Sequence, residues 1–539
     1  MVVFKMVEKI ILGNIITMDE FKPNAESVVV DEGKIKYVGS FEVAKKLAHE
    51  AEIMDYGDNY IYPGFIETHA HGFLAANRLE LQADLSEDKS MAAFLETMKK
   101  YIEEHPGRDF YEGAGWDIYD EIPTRQLLDT VNDEIPICLN SVDGHSIWLN
   151  TPGCAKFGID EEAVKKYGTD LVRVDEDGVP TGYISEEPAI NILLNNKPPK
   201  EGTKAGLLKW QELAFSQGIT ATGEALADKD IVPIYSEVVE EGEFKLRTYG
   251  MFTVNNHAEN MVKEVETALE FKKYDCKYYK TVAMKVLLDG VVEAHTGWME
   301  EEYADDPGYY GDKRFTDLDE FVTLTKTANE NGLLVHAHSV GDGATKFGMD
   351  GFERAQLETG IFNMRNSFAH LQYVNPRDIK RMADYNVCGA VPPLWIPKSD
   401  SAFIQECEYL TEEKALEGYP MQSFIDEGAI IGFHSDYPVS QEMSVPLSIY
   451  MAVTGKLPKD DYDAVRNPAE CMSQKDAVLC LTRNAAYMLN AEDEIGSIEI
   501  GKLANFVVYD IDFLNDDIEG IAKSQLISTI IEGEIVFKA

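Results

Sequence analysis

The chain has 539 residues, with 95 Asp and Glu against 49 Lys and Arg, for a net charge of −46. A surface this acidic repels phosphate backbones and polyanions, which excludes non-specific nucleic-acid binding; solubility is the simplest reading of the charge. Hydrophobic residues at 45% and charged residues at 27% exclude a wholly disordered or fibrous chain, and the length allows about two to four domains.

The N-terminal stretch consists of short β-type runs broken by turns. Lys9–Gly13, Ser27–Asp31 and Ile35–Gly39 are expected strands, with Glu32-Gly33-Lys34 as a hairpin turn. The C-terminal stretch reads the same way. Ala504–Asp510, Ser528–Glu532 and Ile535–Phe537 are expected strands around the turn Glu532-Gly533-Glu534. Neither end has enough strands to be stable alone. Residues 1–62 and 490–539 are therefore expected to pair into one small β-sandwich, with 63–489 inserted as a separate domain. Charges at Lys5, Glu8 and Lys9 do not fit a secretory leader. No stretch reaches the roughly 18 apolar residues of a membrane span. Seven Cys without a Cys-x-x-Cys pair read as reduced thiols. The expectation is a cytoplasmic protein with a small-molecule substrate and no nucleic-acid or membrane partner, a homodimer being the default assembly.

The middle of the chain alternates apolar β runs with helical patterns. Ile135–Leu139, Ala283–Leu288, Leu333–His336 and Ala429–Phe433 look like buried parallel strands, and Asp317–Asn331 and Pro376–Tyr385 like helices between them. This predicts an α/β fold, a (β/α)8 TIM barrel with a large insertion at about 84–275. A doubly wound sheet would want a Gly-rich phosphate loop after its first strand, and none is present.

The histidines fall at strand ends. His69-Ala-His71 follows the β-type segment Ile61–Thr68, and residues two apart on a strand share a face. His338 and His370 lie about one βα unit apart, and Asp436 about two units further on. Lys285 sits inside an apolar strand, where a bare ammonium is costly unless paired or modified. Strand ends are where barrel active sites gather, and imidazole with carboxylate is a donor set for metals such as zinc. A buried Lys joins such a set as a neutral amine or as an N-carboxylate.

Pro63-Gly-Phe-Ile-Glu-Thr-His-Ala-His71 resembles the opening motif of the amidohydrolase superfamily. More narrowly, the chain resembles amidohydrolase family 3, the group that contains N-substituted formamide deformylase. Gly115-Trp-Asp117, Pro123-Thr-Arg125, Asp143–Asn150, Pro180-Thr-Gly182, Lys285-x-x-x-Asp-Gly290, His338–Ala344, Ser435–Val439 and Gly496–Asn505 carry that resemblance along nearly the whole chain. It implies a divalent metal centre, zinc by preference, with one or two ions per chain. It implies His69, His71 and Asp436 as ligands of a deeper ion, Lys285 as a bridging carboxylated lysine, and His338 and His370 as ligands of a second ion. Asp436 is also the implied proton acceptor.

His336 departs from the motif and is expected to pack behind the ligands. Asn505 stands where the family has Asp. Trp116, Asp117, His145 and His295 are the expected substrate-side residues, and Trp148, Trp298 and Trp395 hint, with Trp116, at an apolar pocket. The resemblance implies hydrolysis of an amide-type C–N bond. The alternatives are a binding or regulatory protein with a vestigial site, or a deaminase of a cyclic amidine using the same site.

Overall fold

The computed structural model describes residues 8–86, 88–118, 122–141, 146–186, 188–189, 191–192, 196, 198–398, 401–458 and 465–539. Its centre is a parallel eight-stranded sheet. The strands in chain order are β1 (Phe65–Ala70), β2 (Ile219–Ala227), β3 (Arg247–Thr253), β4 (Tyr279–Leu287), β5 (Leu334–Ser339), β6 (Ser367–His370), β7 (Cys388–Val391) and β8 (Ile431–Phe433). Each neighbour in sequence is the neighbour in space, with β1 beside β2 and β8 at the other edge. Nearly every strand residue is buried, as expected when both faces of a parallel sheet are covered. Helix Leu318–Glu330 precedes β5. Asp317 caps its N-terminus by accepting from Asp319 and Glu320 N–H, within one residue of the helix expected from sequence.

The two edges of this sheet meet through side chains. Thr68 Oγ1 donates to the Phe433 carbonyl at 2.8 Å, and Ser435 N–H donates to both oxygens of Glu67 at 3.1 and 3.0 Å. His71 N–H adds a bond to Tyr437 O at 2.8 Å. β1 is thus tied to β8, and the sheet is a nearly closed barrel. Burial pushes the Glu67 carboxyl up to about 8, while the Ser435 and His69 hydrogen bonds act to lower it. On the other side of β1, a Cβ at Gly223 of β2 would lie 2.3 Å from Thr68 O, so that position admits no side chain without movement.

Both ends of the chain lie in one seven-stranded sheet. Its order is Glu534–Lys538, Leu526–Ile531, Phe506–Tyr509, Glu52–Pro63, Lys9–Ile16, Asn24–Asp31, Lys34–Gly39. The pairing expected of the termini is present. The twelve-residue strand Glu52–Pro63, not foreseen, joins the two halves: it runs parallel to Lys9–Ile16 and antiparallel to Phe506–Tyr509. Val28, Val30 and Ile35 share one core with Phe506, Val508 and Ile530, so the halves face each other. The two hairpin turns meet at Ala504, whose N–H donates to Gly33 O and whose carbonyl accepts from Gly533 N–H, each at 2.9 Å. Asn505 accepts from Glu532 N–H at 2.9 Å through its side chain.

Residues 73–210 form a separate compact unit with its own six-stranded sheet. The insertion therefore ends well before the expected 275, because residues 219–227 and 247–253 are barrel strands. Ile135–Leu139 contributes to this second sheet, as Ile137–Ser141, and not to the barrel. A short apolar run reads alike in either place. No helix among the described residues is long and apolar enough to cross a membrane. Gly223→Ala should lower the thermal midpoint of the full-length protein, with a cost of about 1–3 kcal/mol for the forced shift against Thr68; an unchanged melting curve would contradict the packing at β1–β2.

Candidate metal centre

The C-terminal ends of five barrel strands deliver the chemistry. His69 and His71 come from the end of β1, Lys285 from β4, His336 and His338 from β5, His370 from the last position of β6, and Asp436 from just past β8. The register sets Lys285 opposite His336 and Leu287 opposite His338. His370 and Asp436 have φ of 79° and 61°, in the left-handed region that non-glycine residues rarely adopt. Two strained residues at one cluster fit a functional site, where such conformations concentrate.

His69, His71 and Asp436 present ligand atoms that all lie within 4.8 Å of one another, and all three residues are buried. His69 Nε2 is 3.2 Å and His71 Nε2 3.0 Å from Asp436 Oδ1. Burial acts to raise the Asp436 pKa. The neighbouring imidazoles of His71, His370 and His434 outweigh it and hold the carboxylate well below its usual range. Burial, with Lys285 beside it, holds His69 far below the ordinary imidazole value, so the ring is neutral and keeps a lone pair. His69 Nδ1 meets His336 Nε2 at 2.7 Å, and His336 Nδ1 meets Ser367 Oγ at 2.7 Å. The proton placement that leaves His69 Nε2 as a donor atom has His69 Nδ1–H donating to His336 and His336 Nδ1–H donating to Ser367. His336 therefore stands behind His69 and orients it.

His338 is held by a carboxylate. Its Nδ1 lies 3.0 Å from Asp289 Oδ1, which leaves Nε2 free to bind. Asp289 is fully buried and accepts in addition from the N–H groups of Trp298, Val340 and Gly341 at 2.8–3.2 Å. The Gly-Asp-Gly run after His338 is explained here: a Cβ on Gly341 would sit 2.0 Å from Trp298 O, so only glycine lets this loop close on Asp289. His370 stacks flat on Trp395, with ring centres 5.3 Å apart and planes at 9°, and its ring centre is 4.6 Å from that of His338. Lys285 is 2% exposed, and its Nζ has no hydrogen-bond partner among the described residues. Burial brings its pKa down to about 7, with Asp436 opposing.

The residues fit a divalent ion. Neutral imidazoles and one ionised carboxylate are nitrogen and oxygen donors of the kind zinc takes. His69 Nε2, Asp436 Oδ1, Lys285 Nζ and His370 Nδ1 are buried polar atoms that no protein hydrogen bond satisfies. His69, His71 and Asp436 form the compact set; Lys285, His338 and His370 lie around it.

The substrate-side expectations fare differently. Trp116 is in the core of the 73–210 unit, packed on Trp148 and Tyr183, and its indole N–H donates to Leu139 O at 2.8 Å. That is a packing position. Asp117 is exposed and accepts from the N–H of Ile118. His145 lies outside the described residues. His295 pairs with Asp305 at 2.9 Å within a surround of Tyr303, Tyr309 and Tyr409, at a φ of 60°. Of the tryptophans, Trp395 alone is seen against a histidine of the cluster. One buried imidazole was not foreseen: His434, two residues before Asp436, with its ring centre 5.1 Å from that of His69 and 5.0 Å from that of His370. The signal for it was present in His434-Ser-Asp436, a third pair of residues two apart at a strand end, after His69-Ala-His71 and His336-Ala-His338.

The profile of the amidohydrolase family matches residues 52–537. The chain belongs to that family. It is 24% identical to the protein LONG AFTER FAR-RED 3 of Arabidopsis thaliana over 544 residues, covering 97% of this chain and 90% of that one. It is 23% identical to N-substituted formamide deformylase of Arthrobacter pascens over 545 residues, covering 98% of each. Among solved structures, an uncharacterised metal-dependent hydrolase from Pyrococcus horikoshii superimposes with a TM-score of 0.78 at 23% identity, covering 95% of this chain and 99% of that one. This amidohydrolase thus shares its fold along nearly its whole length.

Asp289→Asn should weaken metal binding by about 10–100-fold, because an amide cannot accept on both sides as the carboxylate does. Competition with a chelating dye measures this, with circular dichroism as the folding control. Unchanged affinity would remove Asp289 from the support of His338.

Proposed function

We propose that this amidohydrolase cleaves an amide-type C–N bond in a small molecule. The observation that carries the reading is the convergence of His69, His71 and Asp436 with Lys285, His338 and His370 at the C-terminal ends of the barrel strands. The likeness to a deformylase that acts on N-substituted formamides supports the bond class. A divalent ion held there, zinc by donor chemistry, supplies hydroxide at neutral pH and polarises a carbonyl oxygen.

The chain's own residues do the rest. Asp436, kept ionised by the surrounding imidazoles, takes the proton from the attacking water and returns it to the departing nitrogen. His336 and Asp289 fix the faces that His69 and His338 present. Trp395 backs the His370 ring. Lys285, with its pKa near neutrality, exists in part as the free amine. That amine attacks the carbon of CO2, forming an N–C bond and losing a proton, and the resulting N-carboxylate is an anionic oxygen donor at a site that needs negative charge. Seven unpaired cysteines fit a reducing, cytoplasmic setting.

Elemental analysis of the full-length protein, with a hydrolysis screen over N-formyl, N-acyl and cyclic amides, tests the reading. The expected result is one or two divalent ions per chain and chelator-sensitive amine release. Asp436→Asn should keep the fold and lose nearly all turnover; retention of more than about a tenth of wild-type rate would remove its proton-transfer role.

For Lys285 the sign of the pH effect is fixed. The neutral fraction rises with pH through the lowered value, so uptake of a second ion in the presence of bicarbonate should strengthen from about pH 6 to about pH 8. Lys285→Ala should abolish that dependence, with partial recovery by short carboxylic acids. A stoichiometry fixed at one ion per chain throughout would sink the two-ion version and leave the hydrolase reading standing.

A further inference from the structure

Beyond helping to hold Asp436 ionised, His434 has no role in the mechanism above, yet it sits within the cluster. Its backbone N–H donates to Val391 O at 3.0 Å, which fixes its position against β7. The residue is 2% exposed, and neither ring nitrogen has a hydrogen-bond partner among the described residues. Its ring stands beside those of His69 and His370, with centres 5.1 and 5.0 Å away, and edge-on to Trp395, with the Trp395 centre at 6.0 Å. Asp436, Lys285, His71 and His338 are all near enough to act on it electrostatically.

The contrast with its neighbours is informative. His69 has His336, His336 has Ser367, and His338 has Asp289. An apolar side chain would fill the space of His434 without burying two polar atoms, which is unfavourable when they are unpaired. The imidazole is therefore free to meet a partner other than the described protein groups. That partner is not the deeper ion, because the compact donor set consists of His69, His71 and Asp436, and the His434 nitrogens fall outside it. A neutral imidazole offers one N–H and one lone pair.

We propose that His434 is a catalytic residue that touches the substrate: its N–H donates a hydrogen bond to the carbonyl oxygen of a carboxamide bound beside His370 and Trp395. This rests on the hydrolase reading above. As the carbonyl carbon becomes tetrahedral, negative charge grows on that oxygen and the hydrogen bond strengthens. The proton stays on His434, and no covalent bond to it forms or breaks. A fixed donor in a water-excluded site acts on the transition state more than on the bound amide.

The test uses full-length His434→Leu and His434→Gln, loaded with Co(II) and titrated with acetohydroxamate, whose carbonyl oxygen stands in for that of the amide. The expected result for H434L is wild-type cobalt stoichiometry and an unchanged Co(II) spectrum before the probe is added. Acetohydroxamate should bind at least about tenfold more weakly, and kcat on the amide found by the screen should fall about 100-fold or more with less change in KM. H434Q, which keeps an N–H donor, should recover part of both losses. Wild-type probe affinity in H434L would overturn the inference. So would loss of cobalt from H434L, which would make the residue a ligand. If H434L does not fold, H434Q is read against the wild type by the same two measures, and wild-type values in both would overturn it. Failure of the wild-type protein to take up cobalt would instead overturn the hydrolase reading, and this inference with it.

Discussion

The closure of the barrel at β1–β8 is the constraint on which the rest depends. β8 is only three residues long, and the two edge strands are joined by Glu67, Thr68 and His71 acting on Phe433, Ser435 and Tyr437. These bonds flank the candidate ligands on both strands, so the contacts that close the barrel also set the distance from His69 and His71 to Asp436. The close fit of β1 on Gly223 from the opposite side leaves β1 no freedom to slide. A small change in this seam would be felt at the donor atoms before it was felt in the fold.

Around that seam the polar groups are arranged in chains, each ending on a group that fixes a ring. Ser367 holds His336, which holds His69; three backbone N–H groups hold Asp289, which holds His338. Such chains select one tautomer and one ring orientation for each imidazole. They also explain why burial is tolerable here. Burial holds the His69, His336 and His370 imidazoles far below their ordinary value, so these rings keep their lone pairs, while Asp436 beside them stays ionised.

Much of this was legible in the sequence. The candidate ligands could be placed at strand ends because a period of two in His69-Ala-His71 and the spacing of βα units are both visible in one dimension, and the pairing of the two termini follows from the strand deficit of each. The insertion was misjudged because β2 and β3 include Ala, Thr, Gly and Tyr, and their apolar signal is weaker than that of Ile137–Ser141, which lies in the other unit. Trp116 was drawn toward the substrate by its motif, whereas its indole N–H satisfies a carbonyl within a core. His336 was expected behind the candidate ligands and lies there, against His69, whereas the contacts of Asp289 join distant segments that no local pattern encodes. His434 shows the reverse case: the local pattern was present, and only its unpaired nitrogens single it out.

The strand Glu52–Pro63 borders an N-terminal strand on one side and Phe506–Tyr509 on the other. During synthesis the first of these neighbours is available almost at once, and the second only after the barrel has been made. Pairing across so large a separation carries a loop-closure penalty, and topologies of this kind fold slowly. Until the last strands leave the ribosome, one edge of that long strand has no partner, and an open edge readily recruits strands from other chains. The order of translation therefore makes the end of the chain the guard against aggregation of its beginning.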